Sequence, residues 1–249
     1  MPSLRPLVVH CTGPTEATIS GAEPPPLRAG GHYLYFSTLA TLAHRMERYL
    51  PLLDAHESAR AARFRFAQDR ARFILGHGLL REVLGRHVEQ PPEALLFHRG
   101  EFGKPFLAGH PVHFNLSDTK DAVLVAVACG PVGADIETLN RSTDHERVAG
   151  HYFTPPEVES IAQAPDGKRR FLELWTRKEA VLKACGVGLM DDLHSLEVNG
   201  AHNRMQISHP AFARLAAPEY HVGTFTAGPH HLISLASAAP ITQLLVVAA

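Results

Sequence analysis

Apolar and polar positions along this chain switch repeatedly between the two-residue alternation of strands and the three-to-four-residue spacing of helices. His32–Ser37, with Tyr33, Leu34, Tyr35 and Phe36, has strong β propensity and predicts a strand. Helical patterns follow over Thr41–Leu53, bounded by Pro51, and over Asp54–Phe66. A longer helix is expected from Asp69 to His87, where Phe73, Leu79, Leu80, Val83 and Leu84 fall at core spacing. His113–Asp118 and the apolar run Asp121–Ala128 bracket a polar turn and predict a hairpin. After the Gly130-Pro131 break, Gly133-Ala134-Asp135-Ile136-Glu137 reads as another short strand. Thr154 followed by Pro155 marks a helix start, and Phe171, Leu174, Trp175, Val181 and Leu182 form the buried stripe of a further helix. Strands are expected near Ser195–Val198, Tyr220–Thr226, His231–Ser237 and Thr242–Val247. Residues 1–31, with Pro24-Pro25-Pro26 and Gly30-Gly31, predict a weakly ordered lead-in.

The two halves echo each other. Phe225-Thr226, four residues and His231–Ala236 can be laid on Leu116-Ser117, four residues and Ala122–Val127. Arg63–Leu84 parallels Tyr152–Leu182 in the same way: an aromatic segment, then a helix. The expectation is an α+β chain of two similar halves, 32–130 and 131–249, meeting near Cys129–Val132. Ligand sites favour such interfaces.

Composition removes several function classes. The 249 residues are 45% hydrophobic and 20% charged, with a net charge of −1, which argues against nucleic acid as a partner. Five lysines among 24 basic residues leave the basic side mostly arginine, a residue suited to bidentate phosphate contacts. Cys11, Cys129 and Cys185 have no paired spacing, so neither a disulfide framework nor a zinc site is suggested, and a reducing cytoplasm fits. Pro and charged residues interrupt residues 1–20, and the closing apolar run is too short to span a bilayer, so no membrane association is expected.

The candidate chemistry lies between Gly133 and Lys183. On a strand, Asp135 and Glu137 share one face while Ile136 takes the other. Two converging carboxylates repel unless a cation sits between them, and oxygen ligands without Cys or His suit a hard ion such as Mg²⁺. On the later helix, Lys178 and Glu179 precede Lys183, one turn beyond Glu179 on the same face. Each motif alone is commonplace: an Asp-x-Glu pair is often solvated, and Lys-Glu-x-x-x-Lys is an ordinary surface-helix pattern.

Together, Gly-x-Asp-x-Glu and Trp175-x-x-Lys178-Glu179-x-x-x-Lys183 resemble the paired signature of the 4′-phosphopantetheinyl transferase superfamily, specifically its surfactin-synthetase-activating (Sfp) type. The resemblance implies a pseudo-dimer of two α/β halves with coenzyme A in the cleft. It implies Mg²⁺-dependent transfer of 4′-phosphopantetheine from CoA to a serine of an apo acyl or peptidyl carrier protein by a monomeric enzyme. Asp135, Glu137 and Glu179 would hold the metal. Lys178 and Lys183 would add positive charge at the phosphates. Glu179, with Lys183, would be catalytic, taking the serine proton directly or through a water on the metal. Arg70-Ala71-Arg72-Phe73-Ile74-Leu75-Gly76 is similar to the segment whose arginine contacts the CoA 3′-phosphate, which implicates Arg72. Gly103-Lys104-Pro105 looks like the loop against the adenine end, which implicates Lys104. Ser117 falls in Phe114-Asn115-Leu116-Ser117, but the family's following histidine, a CoA-phosphate contact, is Asp118 here. An ionised Asp repels phosphate unless a metal or an arginine intervenes. Two rival readings share these residues: another Mg²⁺-dependent phosphotransferase, and a catalytically silent relative that binds CoA or a carrier protein.

Overall fold

The structure is a computed structural model that describes residues 4–188, 190 and 193–249. Among these residues the strands are β1 (Arg5–Glu16), β2 (Ile19–Ser20), β3 (Gly31–Thr38), β4 (Phe97–Arg99), β5 (Pro105–Leu107), β6 (His113–Asp118), β7 (Ala122–Ala128), β8 (Val132–Thr138), β9 (His202–Ile207), β10 (Glu219–Ala227), β11 (His231–Ser237) and β12 (Gln243–Ala248). The α-helices are α1 (Leu39–Leu42), α2 (Met46–Tyr49), α3 (Ala55–Ala62), α4 (Ala67–Val88), α5 (His145–Tyr152), α6 (Pro155–Gln163), α7 (Gly167–Cys185) and α8 (Pro210–Leu215).

Two five-stranded sheets carry the architecture, in the orders β2-β12-β3-β7-β6 and β8-β11-β10-β1-β9. The expected repeat is visible in their cores. β7 lies between β3 and β6, and β11 lies between β8 and β10, all as antiparallel neighbours. Each half therefore runs strand, helices, hairpin, with α4 or α7 as its longest helix. Both hairpins close over the turns expected from the sequence, 119–121 and 228–230.

Several expectations change. Residues 1–3 lie outside the described residues, but the rest of the lead-in holds β1. This strand is paired parallel to β10 and antiparallel to β9, with Leu7 and Val9 in the core of the second half. Its alternating inward residues, Leu7, Val9 and Cys11, form a strand pattern among interspersed polar positions. At the other end, β12 pairs parallel to β3, in the first half. The terminal strands thus cross the division drawn at 130, and each completes the sheet of the opposite half. The second change is at 195–198. Leu196 and Val198 are fully buried there, yet the backbone is not a strand, and the ladder partner of β1 is β9 instead. The Val198 N–H donates to Glu157 Oε1 at 2.9 Å, so a side chain takes the place of a neighbouring strand.

Local signals explain the longer helices. Thr154 and Glu157 form a reciprocal capping box at the start of α6, and Asp54 with Glu57 does the same for α3. α7 ends on Gly186 in the left-handed conformation (φ 84°), the stop that glycine adopts without a Cβ clash. Thr41–Leu53 is a series of short turns, α1, α2 and 3₁₀ segments, rather than one helix.

The two sheets meet along β6, β7 and β8, where Leu34, Leu124, Ala126, Ala134, Ile136 and Leu235 share one apolar cluster. No helix of the described residues is long and apolar enough to cross a membrane.

Candidate active site

β6 and β8 lie side by side at this seam without a backbone ladder. Side chains bridge them instead: the Ala134 N–H donates to Asn115 Oδ1 at 2.9 Å, and the Ile136 N–H donates to Ser117 Oγ at 3.3 Å. Ile136 enters the seam cluster, which leaves Gly133, Asp135 and Glu137 on the opposite face, under α7. Gly133 makes that approach possible, since a Cβ there would collide with the backbone of Ala180 and Ala184. The same helix face carries Glu179 and Lys183 over the acidic strand.

Lys183 is the centre of the site. Its Nζ donates to Asp135 Oδ1 at 2.5 Å and to Ser117 Oγ at 3.1 Å, while Ser117 Oγ donates to the same carboxylate oxygen at 2.8 Å. Burial works against the ammonium, but Asp135, Glu179 and Asp118 outweigh it and hold its pKa above the usual lysine value. Glu137 pairs with Arg141 and accepts from Thr119 Oγ1 at 3.3 Å. Its pKa is pushed up to about 7, first by burial and then by the neighbouring Asp135 charge. The same two causes, in the same order, push Glu179 to about 7.

This donor set fits a hard divalent cation. The acids offer oxygen only, and their mutual repulsion is what a bound cation would relieve. Asp135 Oδ2 is buried and has no hydrogen-bond partner among the described residues, a costly state for a carboxylate oxygen unless a further ligand satisfies it. Among the described residues no three His, Cys, Asp or Glu side chains stand together as a preformed metal shell. Lys183 and Arg141 hold two of the acids instead. An ion such as Mg²⁺, which keeps waters and takes one or two carboxylates plus substrate phosphate, does not need a preformed shell.

Lys178, Lys104 and Arg72 each have partners within the protein. Lys178 points away from the acids: it is 1% exposed, and its Nζ bonds Glu157 at 2.7 Å and the Leu193 carbonyl at 2.9 Å. Lys183, four residues after Glu179, shares its face, whereas Lys178, five before Lys183, falls on another and turns toward the protein interior. Lys104 does stand at the seam, but its ammonium is spent on the carbonyls of Val132, Lys183 and Ala184, at 2.9, 2.6 and 3.2 Å. It ties the end of α7 to β8, and burial pushes its pKa down to about 8. Arg72 lies on α4 facing β6, with its guanidinium paired to Asp118 at 2.7 Å and to Asp69 at 3.1 Å.

The sequence reading missed Arg141 and Thr119. Both sit in loops after strands, where no periodicity assigns a direction. With Arg72, Asp118 and Glu137 they line a cavity of about 280 Å³. A second cavity, also about 280 Å³, extends from Asp118 past Arg60, His77, Arg99 and Pro105. Cavities of about 580 and 450 Å³ are lined by residues 21–27 and contain none of the candidate residues, whereas one of about 570 Å³ is lined by Lys104, His113, Ala184 and Cys185. The walls of the first two carry Glu23, Glu82, Glu89, Arg45 and Arg86 beside the proline-rich segment, but nothing from the acidic strand or α7.

Comparisons with known proteins bear on the chain as a whole. Residues 131–231 match the 4′-phosphopantetheinyl transferase superfamily domain, and residues 40–130 match the N-terminal domain of 4′-phosphopantetheinyl transferase. The chain is 30% identical over 203 residues to 4′-phosphopantetheinyl transferase psf-1 of Bacillus pumilus, covering 79% of this chain and 83% of that protein. It is 38% identical over 144 residues to 4′-phosphopantetheinyl transferase HetI of Nostoc sp., a match spanning 55% of this chain and 61% of HetI. Against 4′-phosphopantetheinyl transferase Sfp of Bacillus subtilis it is 26% identical over 201 residues, or 78% and 86% of the two chains. With both halves matched in order and the acidic strand and α7 inside the matched region, the chain belongs to the 4′-phosphopantetheinyl transferase superfamily.

Proposed function

We propose that the seam between the two sheets binds coenzyme A and, with Mg²⁺, transfers its 4′-phosphopantetheine moiety to a serine hydroxyl of an apo acyl or peptidyl carrier protein, releasing 3′,5′-ADP. The observation that carries this reading is Lys183 bonded to Asp135, whose charge reaches both Glu137 and Glu179, with a buried Asp135 oxygen left unsatisfied. Asp135, Glu137 and Glu179 would hold the ion, which supplies charge neutralisation at the pyrophosphate.

The chain's own residues account for the remaining requirements. A phosphorus–oxygen bond of the pyrophosphate breaks, so negative charge grows on the departing ADP, and the attacking hydroxyl loses a proton. Lys183 puts a fixed ammonium beside the acids, aligned by Ser117 and Asp135 before substrate arrives; such preorganisation lowers the cost of developing charge. Glu179, one helical turn from Lys183, is the residue assigned to accept the serine proton. Arg141 and Lys120 border the cavity with Glu137 and would meet the phosphates. Lys104 contributes by fixing the end of α7 rather than by direct contact. The three cysteines are free thiols, in keeping with a reducing cytoplasm.

The test is mass spectrometry of an apo carrier protein incubated with this chain, CoA and Mg²⁺, beside an EDTA control. The expected result is a metal-dependent gain of one phosphopantetheine. CoA binding without any gain on several unrelated carriers would establish the silent relative instead, and consumption of CoA without a carrier would establish another phosphotransferase.

A further inference from the structure

Both guanidiniums at the cavity beside the acidic strand are already paired with carboxylates. Arg141 is joined to Glu137. Arg72 is held from two sides as an ion pair: its Nε lies 2.7 Å from Asp118 Oδ2 and its Nη2 3.1 Å from Asp69 Oδ1. One guanidinium between two carboxylates is a unit of net negative charge. A phosphate approaching Arg72 must compete with Asp118 for the same guanidinium charge and also meets its repulsion. Packing does not demand a carboxylate at this position, since the Asp118 side chain is 44% exposed at the end of β6. Asp118 also lines the neighbouring cavity that runs past Arg60, His77 and Arg99, so it stands where a ligand spanning the two cavities would cross.

We propose that Asp118 is a specificity-determining residue of the nucleotide site: by occupying Arg72 it weakens the grip on the phosphate of the ligand's nucleoside end, so this chain discriminates little between nucleotides with and without a 3′-phosphate. The inference rests on the CoA-binding reading above.

Its test is calorimetric binding of 3′,5′-ADP and 5′-AMP in EDTA to the wild type and to Asp118→Asn, which keeps the side-chain shape and removes the charge. The wild type binds the two nucleotides within about fivefold of each other, and Asp118→Asn tightens 3′,5′-ADP at least about fivefold more than 5′-AMP, the scale of one charge-assisted contact regained near the surface. Asp69→Asn, which removes the more distant carboxylate, shifts binding the same way by less. In turnover, Asp118→Asn lowers KM for CoA relative to dephospho-CoA without raising kcat. An equal change for both nucleotides, no change, or weaker binding overturns the proposal, because each shows that Asp118 does not restrain Arg72 or positions it productively. Unchanged melting temperatures confirm that the variants are folded. Carrier modification by the wild type is measured separately, so a failure of transfer would count against the proposed function and leave the nucleotide comparison intact.

Discussion

Asp135 and Lys178 show how a side chain's neighbours decide its role. Asp135 is buried with one oxygen bound by Lys183 and the other unsatisfied, a state that costs stability. Asp135→Asn is expected to abolish carrier modification in a variant that still folds, as its circular dichroism would show. A variant with normal turnover would remove Asp135 from the site. Lys178 is the reverse case. It pairs with Glu157, which is itself 0% exposed, and its ammonium lies 4.8 Å from the Phe153 ring centroid. Lys178→Met would strand a buried carboxylate, a change that costs about 3–5 kcal/mol. The expected outcome is a melting temperature lower by about 10 °C with an unchanged KM for CoA at a temperature where the variant is folded. A raised KM with normal stability would return Lys178 to the phosphates. In sequence the two lysines of the motif look equivalent. Only Lys183 has a face directed at β8.

At the scale of elements, the contact of α7 with β8 sets the spacing between the acids on the strand and Glu179 and Lys183 on the helix. Gly133 permits that contact. Gly133→Ala would push α7 away from β8, because the obstacles are backbone atoms rather than flexible side-chain ends. Overpacking of this kind costs about 1–3 kcal/mol. The expected result is a modest loss of thermal stability and a much larger loss of kcat, since displacements of about 1 Å at a catalytic group cost on the order of a hundredfold. A variant with lowered stability and full activity would show that helix and strand need not be in register. The element pattern itself was legible where periodicity was long: α4, α7, both hairpins and the capped start of α6 follow the sequence. It failed at Ser195–Val198, whose apolar residues are buried as a strand's would be, but whose backbone bonds a glutamate from α6. A hydrophobic pattern reports burial, and the hydrogen-bond partner is a tertiary matter.

For the molecule as a whole, the terminal strands bind the halves together. β1 lies between β10 and β9, and β12 lies beside β3, so removing residues 4–16 would open the interior of one sheet. That deletion is expected to yield an insoluble or unfolded chain, and a folded, soluble product would show that β1 is dispensable. Acid stability also depends on the whole fold. Burial lowers the pKa of His87, with Arg86 adding to the effect, and its Nε2 lies 2.7 Å from Tyr35 Oη. Because the folded pKa is below the unfolded one, the unfolded chain takes up the proton first, and the stability present at neutral pH declines as pH falls through about 6.5. Glu137 and Glu179 act in the opposite sense, since their folded pKa values of about 7 favour protonation in the folded state. Comparing variants isolates the histidine: His87→Gln should lose less melting temperature than the wild type between about pH 7.5 and 5.5. Equal losses would show that His87 titrates alike in both states.

Some of this protein was determined by the sequence alone. The alternation that puts Asp135 and Glu137 on one face and Ile136 on the other is a property of any strand, and the turn that aligns Glu179 with Lys183 is a property of any helix. The pairing of the acidic strand with this helix followed from their resemblance to a family. Tertiary structure decided which ends of those side chains meet. It turned Lys178 inward, committed Lys104 to carbonyls, placed Arg141 opposite Glu137, and joined Arg72 to Asp118. It also carried the first strand into the second half and the last strand into the first. Periodicity is local and sets only the face of an element. Which charges share a site depends on packing between residues as far apart as Arg72 and Asp118, or Asp135 and Lys183, and that information lies in the folded chain.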